Sequence, residues 1–256
     1  MLLSEQQLED FKRDGFLVIP DVFSRDEVAK LRERLPSLFE QHTDSNIRER
    51  KSDQVRSAMA LHLRDELYAK LVRHPRLVEP ALQITGEPVY IQQVKVNVKS
   101  AFGGELWQWH YDFATHHSDD GVPQPRALNL HVFLSEVNDY NGPLYFIPGS
   151  HRCGPAPATL DTTSTSYPLW VADNQTVAAC IDDGGIVTAT GGPGTVLIFG
   201  DCLVHGSPAN MSPWERPIFS LILNPVSNAL TRHQRPDYIH HRDLSPVCAL
   251  EDDCLI

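Results

Sequence analysis

The texture of this chain changes at Gly86, and that change constrains the fold more than any other feature. Before Gly86, apolar residues recur at helical spacing; after it, short β-branched and apolar runs alternate with Gly and Pro. Val89–Lys99 (VYIQQVKVNVK) is β-branched and alternates in its second half, and Leu128–Leu134 alternates at its start. Phe219–Leu223 is continuously apolar, and Pro143–Ile147 and Thr195–Phe199 are short apolar runs between turn residues. Many short strands at close spacing predict a mainly β fold, a sandwich or jelly roll, with helices packed on its outside. Ser4 with Gln7, and Ser24 with Glu27, form capping-box pairs that open two helices. Leu8 and Phe11 give the first helix its apolar stripe, which ends near Gly15; Val28, Leu31 and Leu35 give the second its own. Glu66–His74 and Arg76–Ile84 predict two shorter helices separated by Pro75. Residues 154–192 are rich in Thr, Pro, Gly and Asp and weakly periodic, and are expected to form a long excursion of the kind that serves as a lid. The expected organisation is one domain over 1–256, with 1–86 mainly helical support, 87–225 the β core and 226–256 a C-terminal tail.

Bulk properties narrow the function. A length of 256 residues suffices for a sizeable core. The net charge of −11 repels phosphate backbones, which argues against a nucleic-acid partner. Five cysteines, an odd number with no Cys-x-x-Cys spacing, speak against a disulfide framework or zinc ribbon and for a reducing, cytoplasmic setting. The first residues are charged too early for a signal peptide, and no apolar run approaches a membrane span, so no membrane partner is expected.

Four His-x-Asp triplets occur: His42/Asp44, His110/Asp112, His117/Asp119 and His241/Asp243. The first and third fall in turn-like stretches, and the fourth lies near the C-terminus. Only His110/Asp112 sits in a stretch rich in strand-forming aromatics, Trp107–Phe113. In a strand, residues i and i+2 share a face about 6.6 Å apart, so a His nitrogen and a carboxylate oxygen there can converge on one ion. Such donors suit Fe(II) or another first-row divalent metal, and two His with one carboxylate leave open positions on iron, as in non-haem oxygenases. The candidate third ligand is His205, after an apolar strand and before Gly-Ser-Pro; taken alone, a hydrogen-bonded structural histidine is the commoner role. Arg216 stands 11 residues later at the start of Pro217–Leu223, where a hairpin would return it to the metal pocket. An arginine facing into a barrel needs an anion, and its fork fits a carboxylate; a surface arginine at a strand end is the plainer alternative.

With these residues in order, the chain resembles the phytanoyl-CoA dioxygenase superfamily of Fe(II)/2-oxoglutarate-dependent oxygenases. The likeness is to its bacterial hydroxylases of free amino acids and related zwitterions, among them proline 4-hydroxylase, leucine 5-hydroxylase and ectoine hydroxylase. It rests on VRSAMALH, QQVKVN, GGELWQWHYDF, DGVPQPRALNLHVFLSE, NGPLYFIPGSH and HGSPANMSPWER, and runs from the N-terminal helix to about Pro246. The resemblance implies a double-stranded β-helix with Fe(II) held by His110, Asp112 and His205, with O2 and 2-oxoglutarate as cosubstrates and the distal carboxylate of 2-oxoglutarate on Arg216. It further implies that Asn97 contacts the cosubstrate, and that Gln93, Arg56, Met59, Trp107 and His116 line the substrate pocket, Arg56 taking a substrate carboxylate. Where ectoine hydroxylases carry aromatic residues this chain has Met59 and His116, which favours a free amino acid or similar small polar molecule over a cationic ring. The carboxylate of Asp112 speaks against halogenation, for which the family carries a small residue there. Hydroxylation with release of succinate and CO2 is therefore the expected reaction. Desaturation, cyclisation or epimerisation at the same iron, and a non-catalytic binding barrel, are the alternatives; the oligomeric state is left open.

Overall fold

The computed structural model describes residues 1–256, and its helices begin where the caps predict. The hydroxyls of Ser4 and Ser24 accept from the backbone N–H groups of Gln7 and Glu27, starting α1 (Glu5–Asp14) and α2 (Arg25–Phe39). Pro75 opens α4 (Pro75–Thr85) at a position that needs no N–H, which separates it from α3 (Glu66–Leu71).

Residues 1–86 are not only helical. They also contribute β1 (Phe16–Ile19), β2 (Asn46–Arg48) and β3 (Val55–Met59), which extend the edges of a larger sheet. Runs of three to five residues are too short to show a period of two, so only their tertiary pairing identifies them as strands. The remaining elements are β4 (Val89–Lys99), β5 (Trp107–His110), α5 (Asp112–Ser118), β6 (Leu128–Phe133) and β7 (Leu144–Phe146). They are followed by β8 (Ala158–Asp161), β9 (Leu169–Ala172), α6 (Asn174–Gly184), β10 (Val187–Ala189), β11 (Val196–Gly200), β12 (His205–Ser207) and β13 (Arg216–Pro225).

Two antiparallel sheets form the jelly roll. The larger runs β1-β11-β6-β13-β4-β3-β2 and the smaller β10-β7-β12-β5-β9-β8. The larger sheet has two unlike faces. Val94, Val96, Leu130, Val132, Leu221 and Leu223 pack with Leu31, Leu35, Leu71 and Leu77 of the helices in a 27-residue core. The alternate residues Gln93, Lys95, Asn97, Asn129, His131 and Ser220 point the other way, toward the smaller sheet. Truncating a core side chain such as Leu221 to Ala costs about 2–5 kcal/mol, so the helical layer fixes where the polar face sits.

Two expectations change. The segment 154–192, expected as a long excursion, builds part of the smaller sheet: β8 and β9 extend it beyond β5, α6 follows, and β10 pairs with β7. The segment 226–256 also packs. Leu255 lies in the main core, and the backbone N–H groups of Thr231 and Arg232 donate to the Asp120 carbonyl.

Candidate active site

The space between the sheets is a cavity of about 700 Å³, counting its open mouth. His110 ends β5 and His205 begins β12, and the two residues are direct partners across these strands. Their rings lie 4.1 Å apart, centroid to centroid. Each uses Nδ1 on a backbone carbonyl, His110 on Gln108 at 2.6 Å and His205 on Leu203 at 2.9 Å. Both Nε2 lone pairs are thereby directed at the cavity. Asp112 brings Oδ1 to 3.8 Å from Nε2 of His110 and Oδ2 to 3.9 Å from Nε2 of His205. One donor atom from each of the three lies within 4.8 Å of the others, a spacing that one ion can fill.

The expected strand geometry around Asp112 needs correction. The strand ends at His110, and Asp112 is the first residue of α5. Tyr111 remains extended (φ −133°, ψ 138°), which preserves the i, i+2 relation across the junction. The Asn129 amide donates to Asp112 Oδ2 at 2.9 Å and orients the carboxylate. Burial pushes His110 down to about 3, so it stands as a neutral ligand. Burial also opposes ionisation of Asp112, but the adjacent imidazoles and Lys95 outweigh it and hold the carboxyl below its ordinary range. Two neutral imidazoles and a carboxylate fit a first-row divalent cation such as Fe(II).

Arg216 begins β13 and is only 2 % exposed. It does not return on a hairpin, as expected, because β12 and β13 belong to different sheets and the chain crosses between them. Its Nη2 donates to the Gly142 carbonyl at 2.6 Å and lies 3.4 Å from Ser207 Oγ, while Nε has no partner. Gly142 presents that carbonyl from a left-handed turn (φ 78°), where an added Cβ would lie 2.9 Å from the Pro208 carbonyl oxygen. The guanidinium has no carboxylate partner, and burial pulls it down to about 9. A buried cation in this state has strong demand for an anion.

Of the other expected residues, Asn97, Gln93, Trp107 and His116 line the cavity. Asn97 Oδ1 accepts from Ser57, and Gln93 donates to the Ile239 carbonyl. Arg56 and Met59 do not line it. Arg56 donates to Glu105 at 2.6 Å and to the Leu106 carbonyl, and stacks 3.9 Å over Trp107. It braces the wall, and its charge is already answered.

Several lining residues escaped the sequence reading. Lys95 lies between Gln93 and Asn97 on the same face of β4, a position that the alternation of QQVKVN already marks. Burial pushes Lys95 down to about 8, and its ammonium donates to Gln93 Oε1 at 2.7 Å. His131 has neither ring nitrogen paired. Arg235 comes from coil in the C-terminal segment, where no periodicity exists to betray it. Its Nε donates to Asp120 Oδ1 at 2.8 Å, its Nη2 to Oδ2, and its Nη1 to the Tyr167 hydroxyl. His240 completes the clamp on Asp120 Oδ1 at 2.6 Å.

Comparison with known proteins agrees with this geometry. The family model of phytanoyl-CoA dioxygenase (PhyH) matches residues 11–218. An ectoine dioxygenase of Sphingopyxis alaskensis is 38 % identical over 240 residues, 90 % of this chain and 78 % of that protein. The L-proline trans-4-hydroxylase of Streptomyces griseoviridis is 34 % identical over 255 residues, 96 % of this chain and 95 % of its own. The crystal structure of EctD from S. alaskensis with 2-oxoglutarate and 5-hydroxyectoine superimposes with a TM-score of 0.86 at 36 % identity, covering 97 % of this chain and 87 % of that one. The same enzyme with bound Fe gives 0.85 at 35 % identity over the same shares.

Proposed function

This chain belongs to the phytanoyl-CoA dioxygenase family, and from that premise we propose that it hydroxylates an unactivated C–H bond of a free amino acid or closely related zwitterion. It is an Fe(II)- and 2-oxoglutarate-dependent dioxygenase acting on a small amino-acid derivative. The reaction consumes O2 and 2-oxoglutarate and yields hydroxylated product, succinate and CO2. When bound, the iron supplies the site at which dioxygen is activated, with 2-oxoglutarate as the two-electron reductant.

The chain's own residues would divide the work along the cavity. His110, Asp112 and His205 would hold the iron through two Nε2 atoms and a carboxylate. The observation that carries this reading is Arg216, a buried guanidinium with no anion of its own on the same cavity wall. It would take the distal carboxylate of 2-oxoglutarate as two parallel charge-assisted hydrogen bonds, with Ser207 beside it and Asn97 on the neighbouring strand. Lys95 sits between that end and Gln93, and its charge favours a carboxylate nearby. Arg235 would receive the substrate carboxylate in the role first expected of Arg56, from a position fixed by Asp120 and Tyr167. Trp107 and Tyr167, with ring centroids 5.5 Å apart, wall off solvent at the same end. Holding the target carbon in register matters because an error of about 1 Å can cost on the order of 10²-fold in rate.

The test is direct. Incubate the enzyme with Fe(II), 2-oxoglutarate, ascorbate and either ectoine or one of the common amino acids, and record product mass and succinate. A gain of one oxygen on an amino acid with matching succinate is expected. Loss of two hydrogens would redirect the reading to desaturation or cyclisation, and turnover of ectoine alone would remove the amino-acid assignment. Arg235→Met should raise the substrate KM about 10-fold and leave the 2-oxoglutarate KM unchanged.

A further inference from the structure

The cavity wall carries an imbalance of charge. Lys95, Arg216 and Arg235 line it, and the one acid among the lining residues is Asp112, which faces both histidine Nε2 atoms of the metal cluster. Asp120, just outside, is consumed by Arg235 and His240. A zwitterionic substrate brings an amine as well as a carboxylate, and this wall offers the amine no free carboxylate.

One acid remains behind the wall. Asp201, between β11 and β12, is fully buried, and neither carboxylate oxygen has a hydrogen-bond partner. Its polar neighbour is His116, whose Nδ1 lies 3.5 Å from Oδ2. His116 stands on α5, one turn after Asp112, and lines the cavity. With Nδ1 turned to Asp201, Nε2 is the nitrogen left for the cavity. A carboxylate behind an imidazole fixes the tautomer that keeps the proton on Nδ1, so the exposed nitrogen becomes a lone-pair acceptor backed by negative charge. Gln93 Oε1 already accepts from Lys95 and the Tyr167 hydroxyl from Arg235, while the unpaired His131 ring, also on the wall, has no carboxylate salt-bridge partner, as His116 has in Asp201.

We propose that His116 and Asp201 form a dyad that receives the substrate's amine at His116 Nε2, so that the enzyme selects molecules carrying both an amine and a carboxylate. His116 is then the binding residue and Asp201 a positioning residue that acts through it. This inference rests on the amino-acid reading above and adds the group that enforces it. No covalent or redox step is involved.

The experiment measures equilibrium binding by calorimetry, without turnover, on enzyme loaded with Zn(II) and 2-oxoglutarate. The ligands are L-leucine and L-proline, each beside its counterpart lacking the amine, 4-methylpentanoate and cyclopentanecarboxylate. The wild type should prefer at least one amino acid over its counterpart by about 10-fold, the worth of a charge-assisted hydrogen bond. That preference should fall below about 3-fold in Asp201→Asn and in His116→Phe, while 2-oxoglutarate affinity stays within about 2-fold. His116→Gln, which keeps an acceptor, should recover part of it. Should Asp201→Asn fail to fold, the two His116 variants decide. Retained preference in both Asp201→Asn and His116→Phe overturns the dyad and leaves the amino-acid reading intact. Equal binding of amino acid and counterpart by the wild type, or no binding of either amino acid, overturns the dyad too; a blank turnover panel would then show the amino-acid reading itself to be at fault.

Discussion

Arg216 and Arg235 mark the two ends of one cavity and are held in opposite ways. Arg216 stands on a central strand, donates only to a backbone carbonyl and a hydroxyl, and meets no acid. Arg235 stands on coil and is clamped by both oxygens of Asp120, with His240 behind them. The inner end keeps a buried charge unanswered, so its demand for a carboxylate is strong and built into the sheet. The mouth has answered its charge in advance, so its pull on a substrate is weaker and rests on coil rather than on the sheet. On the roles proposed above, this difference would let one scaffold fix the cosubstrate and vary the substrate. It also gives four ways to test the contrast.

The largest effect belongs to the metal cluster. Replacing His110, Asp112 or His205 by Ala should abolish both iron binding and succinate formation, read by metal analysis and product assay. Asn129→Ala, which frees the Asp112 carboxylate from its 2.9 Å hydrogen bond, should weaken metal affinity by about 10–100-fold. Full iron retention in Asp112→Ala would refute the assignment.

Next comes Arg216. Arg216→Ala should raise the 2-oxoglutarate KM by about 30-fold or more and leave the substrate KM within about 2-fold. Arg216→Met should also stabilise the free enzyme, because it removes an unpaired buried charge. A gain of about 1–4 kcal/mol corresponds to several degrees in Tm, and 2-oxoglutarate should stabilise the wild type but not this variant. A lower Tm for the free Arg216→Met enzyme would break the contrast, since it would mean that the inner end is already satisfied.

Arg56 and Glu105 supply the structural control. Glu105 accepts from Arg56 and from both the backbone and the hydroxyl of Ser166, joining β3 to the segment between β8 and β9. Glu105→Gln should cost about 2–3 kcal/mol, at the lower end for a broken buried pair because Arg56 keeps its carbonyl and Trp107 contacts. Urea unfolding measures the loss. A change confined to substrate KM would return Arg56 to the pocket and contradict its bracing role.

How much of this was legible in the sequence follows from where each residue sits. The first four helices, β4 and β6 were readable because each carries a cap or shows its period, and β11 and β13 because they are apolar runs. The helices α5, which has no side-chain cap, and α6, which lies in the weakly periodic stretch 154–192, were not. His110, Asp112, His205 and Arg216 were readable because three of them stand on core strands, Asp112 follows β5 by two residues, and their order along the chain survives in the family pattern. The strands β8 and β9 were not, because four-residue elements at a sheet edge leave no periodic trace. That the proposed carboxylate partner is Arg235 rather than Arg56 has a physical reason. Both are arginines near turns, and only the position of an acid, Glu105 at the brace or Asp120 at the mouth, separates their roles; neither position follows from spacing.

The smallest effect concerns Asp201, and it bears on the mouth most directly. Burial pushes this carboxyl from 3.8 up to about 6, so the folded protein binds its proton more tightly than the unfolded chain does. The stability that the group contributes is therefore present below pH 3.8, falls as pH rises, and is lost above about 6. Asp201→Asn abolishes this titration and should gain on the wild type by on the order of 2–3 kcal/mol between pH 4 and 7, read as the difference in urea midpoints of the metal-free proteins. A parallel pair of curves would mean that Asp201 is compensated by a group other than His116. A gain smaller than this, rising to the full value when His116→Phe is made the reference background, would show that the imidazole already shares the charge. In that case the mouth, like the inner end, keeps one charge partly unanswered, a carboxylate where the other keeps a guanidinium, and the cavity is poised at both ends for a ligand of opposite sign.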